Sequence, residues 1–132
     1  MKFHFPYFEK DGQWLPVIEV TLRRARQHEL KVQALVDSGA SFSVFHPEVA
    51  QYLGINIERG KKIFLTGIGG RILGYIHALS ITVGGKTFRC RVVFSPEFTV
   101  SFNLLGRDDF FLPFIISFSE KEREVILEET SK

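Results

Sequence analysis

Asp37-Ser38-Gly39-Ala40 follows directly on the apolar run Ala34-Leu35-Val36, so a carboxylate arrives at the end of a strand-like segment on a loop that glycine lets turn sharply. Taken alone, Asp-Ser-Gly is also ordinary turn chemistry, because aspartate readily bonds its own backbone two residues on. The catalytic reading starts from what hydrolysis of an amide requires: a base to activate water and an acid to protonate the leaving nitrogen. Two carboxylates about 3 Å apart cannot both ionise, so they hold one proton between them and supply both functions. The chain offers one such loop. Asp11 lacks the apolar approach and the hydroxyl neighbour, and the Asp108-Asp109 pair runs into phenylalanine. Within one chain the carboxylate pair cannot be completed.

Two further segments give the loop a context. Leu65-Thr66-Gly67-Ile68-Gly69-Gly70-Arg71 reads as a hairpin tip that bends cheaply and leaves backbone N–H groups free for an extended peptide. It is a poor dinucleotide loop, since Ile72 stands where the last glycine should be and no helix follows. Asn103-Leu104-Leu105-Gly106-Arg107-Asp108 places an apolar pair before a glycine that permits close backbone approach and an arginine that can tie loops together. In this order and spacing the three segments resemble the retropepsins, the retroviral-type aspartic proteases and their cellular and prokaryotic relatives, over about residues 30–111.

The resemblance implies a closed acid-protease-like β-barrel and an aspartic-type endopeptidase, active as a homodimer with one catalytic aspartate per subunit and no cofactor. It implies that Asp37 is the catalytic carboxylate, that Ser38 bonds across the twofold axis to brace the paired loops, and that Gly39 completes the catalytic loop. Gly39 and the flap residues Gly67 and Ile68 would hold the substrate backbone, Ala40 and Gly69 would also bind substrate, and Leu35, Val44, Ile68, Phe102 and Leu104 would line side-chain pockets, so apolar residues are expected around the cleaved bond. Arg107 and Asp108 would be structural. Retroviral members carry an acid after Asp-Thr/Ser-Gly-Ala that pairs with the arginine of the Gly-Arg motif. Here that position is Ser41, which sends Arg107 to another partner, Asp108 or Asp109. Viral enzymes build their dimer interface from interleaved termini; this chain begins earlier and ends later, so the hairpin of residues 114–127 is expected to replace that interface.

The elements that must position these residues are mostly strands. Fourteen phenylalanines and eleven glycines, with many valines and isoleucines, favour strands joined by tight turns. Asp11-Gly12 separates a strand over 3–8 from one over 15–22, where Ile18, Val20 and Leu22 alternate with Glu19 and Thr21. Residues 23–29 read as a polar turn and 30–36 as the strand that delivers Asp37. Further strands are expected over 61–66, 71–83, 87–94, 114–118 and 124–127. One short helix is expected over 47–53, with His46 as cap, Pro47 at the first position and Gly54 as stop, and a helical turn over 110–112 that Pro113 ends.

Composition limits the alternatives. A chain of 132 residues, 45% hydrophobic, suits one domain spanning 1–132 with a real core. Seventeen basic and fifteen acidic residues are interspersed, which argues against a nucleic-acid or membrane partner. Arg23, Arg24 and Arg26 form the only basic run, the basis for a weaker alternative, a small nucleic-acid-binding barrel. The main alternative is a non-catalytic peptide-binding or assembly module on the same fold. His4, His28, His46 and His77 have no metal spacing, and one cysteine, Cys90, makes no disulfide framework, so no metal is expected. Gly39-Ala40-Ser41-Phe42-Ser43 lacks the closing glycine of a nucleophile elbow. With no leader-like or membrane-spanning stretch, a cytoplasmic protein is expected.

Overall fold

The structure, a computed structural model, describes residues 1–67 and 70–130. The expected flap residues Ile68 and Gly69 lie outside the described residues. In chain order the strands are β1 (Lys2–Pro6), β2 (Phe8–Lys10), β3 (Gln13–Leu15), β4 (Val17–Ala25), β5 (His28–Val36) and β6 (Ser43–Phe45). After helix α1 (Pro47–Tyr52) and one 3₁₀ turn (Ile57–Arg59) come β7 (Lys61–Gly67), β8 (Gly70–Val83), β9 (Lys86–Phe94) and β10 (Asn103–Leu105). An irregular turn (Arg107–Phe111) leads into β11 (Phe114–Ser119) and β12 (Glu124–Glu129). The mostly-β class with short helices is as the sequence predicts.

Seven strands lie side by side in the order β4-β5-β10-β6-β9-β8-β7. β4 also pairs with β8 through Thr21↔Thr82, Leu22↔Ile81 and Arg23↔Ser80, so the six strands from β4 round to β8 close into a ring. Closure fills the ring with one face of each strand: on β4, Ile18, Val20 and Leu22 are buried and Glu19 is exposed. A separate sheet in the order β1-β12-β11 lies beside the ring. Phe110 anchors its approach, with ring centroids 5.9 Å from both Phe88 and Phe114.

Local chemistry explains most boundaries. Asp11 and Gly12 both take positive φ, 53° and 80°, the primed turn that matches strand twist in a two-residue hairpin. The strand expected over 3–8 is instead broken at Tyr7, which is buried, donates its amide to Arg123 O (2.7 Å) and its hydroxyl to Glu120 (2.6 Å). Burial, then Glu120, push the Tyr7 phenol up to about 12. The expected turn over 23–29 is in fact mostly ladder. β4 continues to Ala25 and β5 restarts at His28, with Arg23 opposite Glu29 and donating to it at 2.7 Å. Opposite charges directly across an antiparallel pair support it, so polarity here marks a solvated hairpin end and not its turn.

α1 has Pro47 at its start and Gly54, at φ 72°, beyond its end. His46 holds the N-cap position as expected, but its side chain makes no cap bond; its Nε2 meets Val100 O at 2.6 Å.

Candidate active site

Asp37 stands at the end of β5, where the short strands β10 and β6 run beside it. β5 and β10 run parallel with Ala34, Leu35 and Val36 beside Asn103, Leu104 and Leu105, and Leu104 faces Val44 of β6 on the other side. The ladder does not stop with the strands: the Asp37 amide donates to Leu105 O at 3.0 Å. Beyond it the chain turns, with Ala40 N donating to Asp37 O (3.1 Å) and Gly39 N to Asp37 Oδ1 (2.9 Å). The Asx turn is therefore present, and it orients the carboxylate. Asp37 is partly buried; Ser38 and Gly39 are exposed, and the Ser38 hydroxyl makes no hydrogen bond among the described residues.

Gly106 and its followers brace this loop from below. The Arg107 amide donates to Ala40 O (2.9 Å) and the Asp108 amide to Ser41 O (2.8 Å). Gly106 N donates to the buried Ser43 hydroxyl at 3.0 Å. A Cβ on Gly106 would collide with Phe42 O and stand 2.9 Å from Ala40 O, so only glycine allows the two segments to lie this close. Asn103, buried, bridges the next layer: its amide nitrogen donates to Gln33 O (3.0 Å), and its oxygen accepts from His46 N (2.8 Å). Its two ties cross from β5 to the chain after β6, in keeping with the rule that buried polar groups are bonded.

Asp108 and Asp109 are not the partners of Arg107. Both turn to Arg91 on β9. Arg91 donates its amide (2.7 Å) and Nε (3.0 Å) to Asp109 Oδ2, and Nη2 to both oxygens of Asp108 at 3.0 Å. Asp109 sits at φ 66°, a costly region for a side-chain-bearing residue, and that conformation aims its carboxylate back at β9. Desolvation alone would raise Asp109, but the hydrogen bonds and charge of Arg91 hold it below its usual carboxylate value. Asp109 in turn raises Arg91. Among the described residues, the exposed Arg107 side chain reaches only Ser41 Oγ, at 3.5 Å. Nearby Cys90 is fully buried in β9, and desolvation, with Asp109 and Asp108 adding, pushes its thiol up to about 12. It is an inert core thiol.

Of the expected pocket residues, Val44 is buried and Leu104 half-buried, and both join Val93 and Phe98 in an apolar cluster. Ile63 and Leu65 of β7 and Ile72 and Ile76 of β8 pack against the same cluster. The expected flap hairpin thus stands on the apolar floor that carries Val44 and Leu104. Leu35 is half-buried and next to Leu104 in the ladder. Phe102 lies elsewhere in the packing, edge-on to Phe8 at 6.3 Å with the Lys10 ammonium over its ring. Gly67, exposed, closes the described part of the flap ladder opposite Gly70.

Asn103, Ser43 and Arg91 are supports to which sequence reasoning assigned no role. Ser43 is a polar residue at the start of the otherwise apolar β6, which is a local signal; Arg91 gives none. Among the described residues no group of His, Cys, Asp and Glu could hold a metal ion, and no helix is long and apolar enough to cross a membrane. Two surface hollows, one lined by Arg24, Asn56, Arg59 and His77 and one by Pro47, Gln51, Glu58 and Pro96, involve none of the site residues. Arg24 and Asp37 stand at opposite ends of the β4–β5 hairpin.

A family model described as Aspartyl protease matches residues 23–108. A retropepsin-like aspartic protease from Rickettsia conorii superposes with TM-score 0.71 at 20% identity, over 96% of this chain and 91% of that one. The EIAV protease, complexed with the inhibitor HBY-793, superposes with TM-score 0.59 at 19% identity, over 80% of this chain and 92% of that one. At these identities the likeness is one of fold. No curated protein matches the chain.

Proposed function

The chain belongs to the aspartyl protease family, and from that premise we propose a homodimeric aspartic endopeptidase in which the Asp37 carboxylates of two subunits hold one water between them. The observation that carries the reading is the Asp37 loop itself. One carboxylate, oriented by Gly39 N and set on a loop bonded to Leu105, Arg107 and Asp108, occurs once per chain. A single carboxylate supplies a base or an acid but not both, so a second copy completes the chemistry.

In the dimer the ionised carboxylate takes a proton from water as its oxygen bonds to the peptide carbonyl carbon. The protonated partner polarises the carbonyl oxygen, and a proton then passes to the nitrogen as the C–N bond breaks, leaving a carboxylic acid and an amine. Proton sharing in aspartic-protease dyads is the standard instance of this electrostatics. Ser38, exposed beside the carboxylate, would bond the opposite loop. The β7–β8 hairpin offers backbone to an extended peptide near Gly67 and closes over it. Val44, Leu104 and the apolar floor around them favour apolar side chains next to the cleaved bond.

The test is Asp37→Asn, which keeps shape and hydrogen bonding but removes the base. Cleavage of an apolar-rich peptide library should fall by at least about 10²-fold, with dimerisation unchanged. Undiminished cleavage removes the assignment of Asp37. A wild type that binds these peptides but cleaves none from acid to neutral pH identifies a binding module instead.

A further inference from the structure

At the end of the β4–β5 hairpin away from Asp37, a hollow of about 430 Å³ opens between β4, the chain that follows α1, and β8. It lies at a break between two ladders. The pairing of β8 with β4 ends at Arg23↔Ser80 and its pairing with β7 starts at Lys61↔Ile76, so no strand lies beside His77, Ala78 and Leu79 on that edge. Gly54, Ile55 and Asn56 come to the break instead, together with Arg59 of the 3₁₀ turn and Arg24 of β4. The charge there is one-sided: two arginines and a histidine line the hollow and no carboxylate does. His28 Nδ1 stands 3.4 Å from Arg24 Nη2, and Arg89 donates to the carbonyl of Ala78 in the lining. Among the described residues the arginines with carboxylate partners are Arg23, on Glu29, and Arg91, on Asp108 and Asp109; Arg24, Arg59 and Arg89 have none. Two of the lining groups are nevertheless held in place. Arg24 Nε donates to Leu53 O at 2.7 Å, and Gly54, at φ 72°, has no side chain to cover the guanidinium, from which a Cβ would stand 3.2 Å. His77 Nε2 is 2.8 Å from Ile57 O, and its ring is edge-on to Phe94 at 5.7 Å. Like charges gathered without a counter-charge repel, and a cation fixed ahead of its ligand loses little freedom on binding.

We propose that this hollow binds a phosphorylated small molecule, with the phosphate between Arg24 and Arg59 and the organic body against Ile55 and Ala78. A phosphate monoester carries close to two negative charges at neutral pH and so matches two guanidinium groups, where a carboxylate matches one. The planar fork of arginine also suits phosphate oxygens. The volume falls in the range of small-ligand sites, and Ile55 and Ala78 give the apolar contact that such sites use beside a few fixed polar groups. A nucleic-acid strand fits less well, because seventeen basic and fifteen acidic residues are interspersed along the chain and no basic stripe carries the charge onward for a polymer. The site shares no residue with the Asp37 loop and goes beyond the protease reading, without which it also stands.

Titration of the full chain with phenyl phosphate and with inorganic phosphate, followed through backbone amide NMR shifts, tests this. Phenyl phosphate should bind with a Kd of about 1 mM or tighter and shift the amides of Asn56 and Ala78. It should bind at least about fivefold more tightly than inorganic phosphate, because its ring covers Ile55. Arg59→Ala removes a side chain that makes no hydrogen bond among the described residues, so this variant should keep the wild-type circular dichroism and weaken phenyl phosphate at least about tenfold. Arg24→Gln should weaken it as much; if that variant does not fold, Arg59→Ala decides alone. No binding of either probe at about 10 mM, or binding that Arg59→Ala leaves unchanged, overturns the site. Equal affinity for sulfate, inorganic phosphate and phenyl phosphate means an adventitious ion only and overturns the small-molecule assignment. A single-stranded RNA that displaces phenyl phosphate and itself binds more tightly gives the hollow to nucleic acid and overturns the proposal too.

Discussion

Arg91 makes four hydrogen bonds to two carboxylates near the site, three from its side chain and one from its backbone amide, although it stands on the outside of β9. It fastens Asp108 and Asp109 at 3.0 Å or less through four hydrogen bonds, and the turn so fastened gives its amides to Ala40 and Ser41. An exposed ion pair adds little to global stability, so the effect of Arg91→Ala belongs mainly to the position of the Asp37 loop. We expect a fall in kcat of roughly 3- to 10-fold with KM little changed, the signature of a misplaced reacting group, and partial recovery in Arg91→Lys. An unchanged kcat rejects the positioning role. The pH dependence has a definite sign. Because Asp109 titrates below its unfolded value, its contribution is complete above about pH 4 and is lost as pH falls through the lower folded value. The difference in Tm between wild type and Arg91→Ala, present at pH 7, should shrink as pH falls below about 4; a difference that grows there contradicts the pairing.

At the scale of elements, the site depends on a parallel ladder between β5 and β10 and on the absence of a side chain at Gly106. In Gly106→Ala the new methyl meets two carbonyl oxygens, of Phe42 and Ala40, neither on a flexible side chain. The backbone must move, at a cost of about 1–3 kcal/mol, and the loop carrying Asp37 moves with it. Thermal unfolding and cleavage should therefore both suffer, and a variant with wild-type Tm shows that the loop has slack. The turn at Asp37 and the close approach at Gly106 are legible in the sequence because residue types mark them: a carboxylate beside glycine that bonds its own backbone, and a glycine where backbone meets backbone. The hairpin of β4 and β5 reads as a turn at 23–29, since cross-strand pairing of Arg23 with Glu29 looks in one dimension like a run of turn polarity. The Arg91 tie was out of reach altogether. Seventeen and eighteen residues separate it from its partners, and no periodicity encodes a contact made by a crossover.

For the whole molecule, the proposed function makes a definite demand: a complete ring of strands would carry half of a reactive centre. Its core needs nothing from outside: the aromatic rings at Phe45, Phe94 and Phe110 are fully buried in the single chain. Folding and activity should then separate with concentration. A subunit stays folded after the dimer parts, while cleavage per subunit falls in proportion to concentration once dilution passes the dissociation constant. Subunit mixing makes the same point without dilution. When wild type re-equilibrates with an equal amount of Asp37→Asn protein, random isologous pairing places half of the wild-type subunits with a partner that lacks the second carboxylate. Activity per wild-type subunit should fall to roughly half, and lower with each further excess of the variant. If one Asp37 sufficed, added variant would leave the rate untouched, so a flat mixing curve rejects the shared site even where Asp37→Asn alone is inactive. Linear decline with the wild-type fraction is the outcome that requires one carboxylate from each chain.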